Sequence, residues 1–198
     1  MPRAAGQVDE RKSDAILAAA AEVMAERGLS APMEEIARRA GVSKQTIYNR
    51  YGSKEELARA MAERRAETLA APLGAADLSL EDALAAFARN LLDRADRKVG
   101  LLRMMVSAAG GTPELARDIY EAGPRRSKMR LAQFLARASA SGRLDVPDPE
   151  DAAEVFIGMV TGHGLVRALL GVGEVAEGDR RDARAAEAAR RFLRAYAP

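Results

Sequence analysis

The sequence predicts an all-α chain: a small N-terminal domain of three helices containing a helix-turn-helix, then a larger C-terminal helical domain. Three observations predict it. Hydrophobic residues fill 48% of the 198 positions, enough for a buried core, yet aromatics are only 4%, while the helix formers Ala, Arg and Glu abound. No segment alternates apolar and polar residues as a half-buried strand does. Helix-start and helix-stop residues recur instead along the whole chain.

A polar arm, residues 1–8, precedes a first helix that begins between Asp9 and Asp14. Ile16, Leu17, Ala20, Val23 and Met24 share one apolar face, and Gly28 stands where a left-handed residue would stop that helix. Pro32 suits the first position of a second helix, with Glu34 and Glu35 well placed in its first turn. Gly41 breaks it. Ser43 reads as the N-cap of a third short helix, with Val42 and Ile47 at the two positions of a hydrophobic staple. Gly52 ends this helix, and "SKEE" at 53–56 is a capping box opening a longer fourth one, with Leu57, Met61 and Leu69 inward and an end near Pro72 and Gly74.

Further helix starts are marked by Ser79 with Asp82, by Thr112 before Pro113, by Pro124, by Asp148 before Pro149, and by Asp179 with Asp182. Gly100, Gly110 with Gly111, Gly142, and Gly171 with Gly173 mark stops. "GVGEVAEGD" (171–179) is the most loop-like interior stretch. The expected domains are 1–56 and 57–198.

Several function classes find little support. With no cysteine there is neither disulfide nor thiolate chemistry, which fits a reducing cytoplasm. The opening "MPRAAGQVDERK" lacks the apolar centre of a signal peptide. The greasiest run, from Val155 to Val166, is interrupted by Gly158, Gly162, His163 and Gly164 and is expected to fall short of the ~18 apolar residues of a membrane span. No Gly-rich phosphate loop, nucleophile elbow or metal-ligand spacing is present, and the single histidine is poor material for a metal site. No enzyme activity, cofactor, metal or membrane partner is expected.

The chain is nearly balanced, with 31 basic residues against 29 acidic. From Ile36 to Lys54, however, Arg38, Arg39, Lys44, Arg50 and Lys54 occur with no acidic residue among them. Such a surface suits a polyanion. Residues 33–50 form two short helices joined by "AGVS", the spacing of a helix-turn-helix. Ile36, Ala37, Val42 and Ile47 would bury the junction and leave Lys44, Gln45, Thr46, Tyr48 and Asn49 outward, at the end of the helix that meets base edges. Gln pairs bidentately with adenine, Lys with guanine, and the Thr methyl meets that of thymine. The competing reading is a solvated basic face.

"ERGLSAPMEEIARRAGVSKQTIYNRYGSKEEL", residues 26–57, resembles the DNA-binding domain of the TetR/AcrR transcriptional regulators. The resemblance rests on Gly28, Ile36, Ala37, Gly41, Val42, Ser43, Tyr48, Lys54, Glu55 and Leu57 at fixed spacing. It implies that Tyr48 and Lys54 contact phosphates while Lys44, Gln45, Thr46 and Asn49 face the groove. One departure is that Ala31 and Pro32 stand where the family has a capping Thr or Ser that touches phosphate; Ser30 is the substitute candidate. Arg3, Arg11 and Lys12 suit either an arm in the minor groove or a solubilising tail.

The resemblance also implies that the C-terminal region carries a dimer interface and an effector site. The sequence supports the first independently. Gly158 and Gly162, with Ala152 and Ala153, would let another helix approach closely, and Ala186, Ala189, Leu193 and Tyr196 form a stripe on the last helix. Two such helices per subunit would make a four-helix bundle, with packing inside one chain as the alternative. Phe87, Leu101, Met104, Met105, Phe134, Phe156 and Met159 are candidates for an apolar effector site, or plain core. His163 is a candidate ligand contact or a structural histidine. The expected function is a homodimeric transcriptional regulator that binds a near-palindromic double-stranded DNA operator, most simply as a repressor released by an apolar or amphipathic small molecule. The alternative is an architectural DNA-binding protein without an effector.

Overall fold

The computed structural model describes residues 5–92, 95–172 and 178–198, and the side chains among them except those of 5–9 and 95–101. Among the described residues there are ten α-helices and no strand. They are α1 (Ala5–Arg27), α2 (Met33–Ala40), α3 (Lys44–Tyr51), α4 (Lys54–Ala70), α5 (Leu80–Leu92), α6 (Ala95–Gly111), α7 (Pro113–Tyr120), α8 (Arg126–Ala140), α9 (Pro149–Leu170) and α10 (Gly178–Ala195).

The chain divides into two compact units, and the division differs from the expected boundary at 56/57. One unit takes the chain through Arg64 together with Asp96–Gly123; the other takes the remainder. The reason lies in burial. Leu57, Ala58, Met61 and Ala62 of α4 join a core with Ile16, Val23, Met24, Ile36 and Ile47, and so do Met104 of α6 and Leu115 and Ile119 of α7. Leu69 and Ala70, at the far end of α4, belong to the other core instead.

In the first unit, α2 buries Met33, Ile36 and Ala37, a spacing that keeps one helical face inward. Helix α1 starts four residues ahead of the expected zone, because nothing in "AGQVDERK" forbids a helix. Arg11 and Lys12 are therefore exposed helical residues rather than part of an arm, and Arg3 lies outside the described residues.

In the second unit, α5, α8, α9 and α10 enclose an aromatic ladder. Phe87 lies 6.3 Å from Phe156, Phe156 5.1 Å from Phe192, and Phe192 4.6 Å from Tyr196, centroid to centroid. Such tilted and edge-on rings add to what their burial contributes. Leu84, Leu131 and Leu135 fill in around them. The Asp145 N–H donates to the Tyr196 carbonyl at 2.9 Å, tying the α8–α9 loop to the end of α10.

Two further helix boundaries differ from expectation. Gly100 does not stop a helix, and α6 runs through it. A lone interior glycine costs a helix only about 1 kcal/mol, which neighbouring packing overrides. Pro124 does not start a helix afresh: it sits inside a π-turn, Glu121–Arg125, that leads from α7 into α8. The wider turn accommodates a residue with no N–H to donate.

Helix α9 ends at Leu170, as the expected stop at Gly171 requires, but its apolar length exceeds expectation: by length and composition it is long and apolar enough to cross a membrane. Its inner face, Ala152, Ala153, Phe156 and Val160, is buried in the core of its own unit. It bends at Gly162, whose φ of 45° and ψ of −150° are glycine conformations. The Arg184 Nε donates at 2.8 Å to the Val160 carbonyl beside this bend.

Candidate nucleic-acid interface

The turn between α2 and α3 is built by three residues. Gly41 has φ 66° and ψ 32°, the left-handed conformation that side chains resist. Its N–H donates to the Arg38 carbonyl at 3.3 Å, and the Val42 N–H donates to the Ala37 carbonyl at 3.0 Å. These bonds satisfy carbonyls that the end of α2 would otherwise leave open. The Ser43 Oγ accepts from the Thr46 N–H at 3.0 Å and so caps α3. Ile47 is fully buried, with half-buried Val42 packed against the same core. That buried isoleucine fixes the rotation of α3, and Lys44, Gln45, Tyr48 and Asn49 emerge exposed.

The exposed groups are paired with one another. The Gln45 Nε2 donates to the Asn49 Oδ1 at 2.6 Å, which aligns two amides along the outer face. The Lys44 Nζ bonds the Glu34 carboxylate of α2 and lies 5.8 Å from the centroid of the Tyr48 ring. This contact holds the Glu34 carboxyl below the usual carboxylate range and raises the Lys44 ammonium above its ordinary value. Thr46 is half-buried, and its hydroxyl shares a 2.8 Å hydrogen bond with the Ser43 hydroxyl. The hydroxyl thus serves the cap. The Lys54 Nζ donates to the Leu29 carbonyl at 3.0 Å, joining the start of α4 to the turn after α1. An ammonium has three donors, so this bond leaves capacity for a phosphate. The Ser30 hydroxyl, the substitute candidate for phosphate, donates to the Arg27 carbonyl at 2.6 Å.

Arg39 holds the scaffold behind this face. Its guanidinium takes both Glu26 carboxylate oxygens at 2.9 Å and Glu35 at 3.0 Å, linking α1 to α2. The bond from Arg39 lowers the Glu26 carboxyl pKa, as expected of a fork-to-fork pair. The residue that sequence reasoning passed over is Glu34. Its acid was read only as complementing the start of α2; its contact with Lys44 joins residues ten apart and needs the folded turn.

The candidate effector residues fall into different settings. Phe87 and Phe156 are fully buried in the aromatic ladder and act as core. Met104 and Met105 pack against the core of the other unit, so they do not join that set. Phe134 is half-buried against the ladder's core, Met159 and His163 are exposed on α9, and the side chain of Leu101 lies outside those described. Among the described residues no group of three or more His, Asp or Glu could hold a metal.

The candidate dimer residues also divide. Gly158 and Gly162 are exposed on α9. Ala189 is buried within its own chain, and Leu193 and Tyr196 pack on the same core, with Ala186 half-buried. The expected outward stripe of α10 is displaced because Ala185, Ala188, Ala189 and Phe192 form the helix's inner face. Ala152 and Ala153 are buried likewise. What α9 does present is apolar: Val155, Met159, Val166 and Leu170 are all exposed.

A capped helix turned outward by a buried isoleucine, and joined to α2 by a tight glycine turn, defines a helix-turn-helix DNA-binding protein. Residues 16–61 match the bacterial regulatory proteins of the tetR family, and residues 79–198 match the family described as AefR-like transcriptional repressor, C-terminal domain. The chain belongs to the TetR family of transcriptional regulators, which is not an enzyme family. The flavonoid-responsive regulator FrrA is 35% identical, with 96% of this chain and 98% of that one covered and a TM-score of 0.64. A TetR transcriptional regulator from Agrobacterium tumefaciens is 28% identical, with 94% of each chain covered and a TM-score of 0.69. The HTH-type transcriptional activator FasR of Mycolicibacterium smegmatis is 47% identical over 62 residues. That match covers 31% of this chain and only 28% of the length of FasR.

Proposed function

We propose that the chain is a homodimeric, effector-released transcriptional repressor that reads a near-palindromic operator through α3. The observation that carries this reading is the exposed row of Lys44, Gln45, Tyr48 and Asn49, fixed outward by the fully buried Ile47. A helix presenting amide and ammonium donors on one face suits the major groove, where each base pair shows a distinct donor and acceptor pattern. Lys54, Tyr48 and the surrounding arginines would position the protein on phosphates, without sequence information. Repression is favoured because the match described as a repressor domain covers the C-terminal 79–198, whereas FasR matches over only 62 residues.

The dimer is supported by α9. Its exposed Val155, Met159, Val166 and Leu170 make an apolar face that water covers poorly and that a second copy would bury. The effector is supported by the 35% identity to a flavonoid-responsive regulator, which fits an apolar or amphipathic molecule. Such a molecule would release DNA by binding more tightly to a state in which the two recognition helices no longer fit successive grooves, about 34 Å apart. The protein would act in the cytoplasm, where its operator lies.

Footprinting on genomic fragments tests this reading. The expected result is protection of a few near-palindromic sites, relieved by at least one compound from a panel of flavonoids and other amphipathic aromatics. Uniform protection without preferred sites would establish an architectural coater instead. Preferred sites that no panel compound relieves would remove the apolar effector from the reading.

A further inference from the structure

The pairing of Lys44 has a consequence for specificity. Glu34 stands in the first turn of α2, and its carboxylate bonds the Lys44 ammonium at the start of the recognition helix. Both side chains are exposed, so the pair lies on the surface that DNA would approach. The nearby Tyr48 ring, 5.8 Å from the Lys44 nitrogen, keeps the ammonium over its face. We propose that Glu34 is a specificity-setting counter-ion: it occupies Lys44 in the free protein and penalises any DNA that offers Lys44 only phosphate in exchange. The proposal rests on the reading that α3 faces DNA.

The reasoning is electrostatic. Non-specific binding is almost wholly the neutralisation of phosphates by Lys and Arg, with release of condensed cations. A phosphate that takes Lys44 from Glu34 leaves a bare carboxylate beside a polyanion. That carboxylate has lost its counter-ion and takes up a cation in its place, so about one fewer cation is released on binding. At the operator Lys44 moves to a base edge, where directed hydrogen bonds to a guanine offset the loss. The carboxylate therefore lowers affinity for random DNA more than for the operator, which widens the ratio between them. The bond between them acts in the matching direction, holding the Glu34 carboxyl below, and the Lys44 ammonium above, its ordinary value.

Competition binding on random duplex and on a footprinted site, at several salt concentrations, tests the inference with the full chain. Glu34→Gln keeps the shape of the side chain and removes its charge. It is expected to raise affinity for random DNA about three- to tenfold at low salt and affinity for the footprinted site by less. The slope of log affinity against log salt should steepen by about 0.9. Glu34→Asp keeps the charge and should retain the wild-type slope. In a Lys44→Ala background the effect of Glu34→Gln should fall below about twofold, because the counter-ion then has nothing to hold. Unchanged random-DNA affinity in Glu34→Gln overturns the proposal, and so does an equal gain on both DNAs. An undiminished effect in the Lys44→Ala background overturns it as well, since Glu34 would then act on phosphates directly. Wild-type protein with no preferred site refutes sequence reading itself, while the random-DNA slopes still decide whether Glu34 holds Lys44.

Discussion

Lys54 has one partner within the chain, and a phosphate is the second that we propose. Its ammonium bonds the Leu29 carbonyl at 3.0 Å and keeps donors free for a phosphate. Lys54→Ala should therefore weaken binding to operator and random DNA alike and reduce the salt slope by about one. It should also cost about 1 kcal/mol of stability through the lost hydrogen bond. Salt-series binding together with a melting curve measures both, and an effect confined to the operator would contradict the phosphate role. At this scale the sequence was informative about direction and silent about partners. Ile47 set the phase of α3, so the exposure of Lys44, Gln45, Tyr48 and Asn49 followed, whereas Thr46 turned half-buried to the cap. The Lys44–Glu34, Lys54–Leu29 and Thr46–Ser43 bonds divide the labour among those residues, and the first two join positions ten and twenty-five apart. Local pattern holds no record of such contacts.

Helix starts marked by a capping residue or a proline were legible, and positions where packing overrides local preference were not. Ser43, Ser53, Ser79 and Asp148 each accept backbone N–H bonds at the start of their helices, where the short-range pattern placed them. Gly100 and Pro124 misled because tertiary contacts carry a helix or a π-turn across them. Helix α10 was legible as a helix but not in phase, since its inner face lies one residue from the stripe that reads as outward. For α9 the decisive observation is burial: an apolar helix keeps Val155, Met159, Val166 and Leu170 exposed. We expect this face to carry the dimer. A Cβ added at Gly158 would meet no atom of another helix within 4 Å, and the position is exposed. Gly158→Leu should accordingly leave the fold of a single chain intact and raise the dimer Kd by about tenfold or more, in line with the 1–3 kcal/mol cost of overpacking. Light scattering with a parallel melting curve checks it. A wild-type protein that is monomeric at micromolar concentration would end the dimer reading.

The molecule combines a DNA-binding segment of the tetR type, residues 16–61, with a C-terminal helical region, 79–198, more than twice its length. The first was legible because Gly41, Ser43, Val42 and Ile47 act over neighbouring residues, so geometry and sequence carry the same information. The second was legible as helices only. Which of its apolar residues are core depended on contacts such as the Phe87–Phe156–Phe192 ladder, built from three separate helices. The central claim, that α3 reads sequence, rests on Gln45 and its aligned neighbour Asn49. Its most direct measurement is competition binding of wild type and Gln45→Ala on a footprinted operator and on random duplex. The account predicts a loss of about 1–3 kcal/mol on the operator and little change on random DNA. Equal losses on both DNAs, or none on the operator, would contradict it.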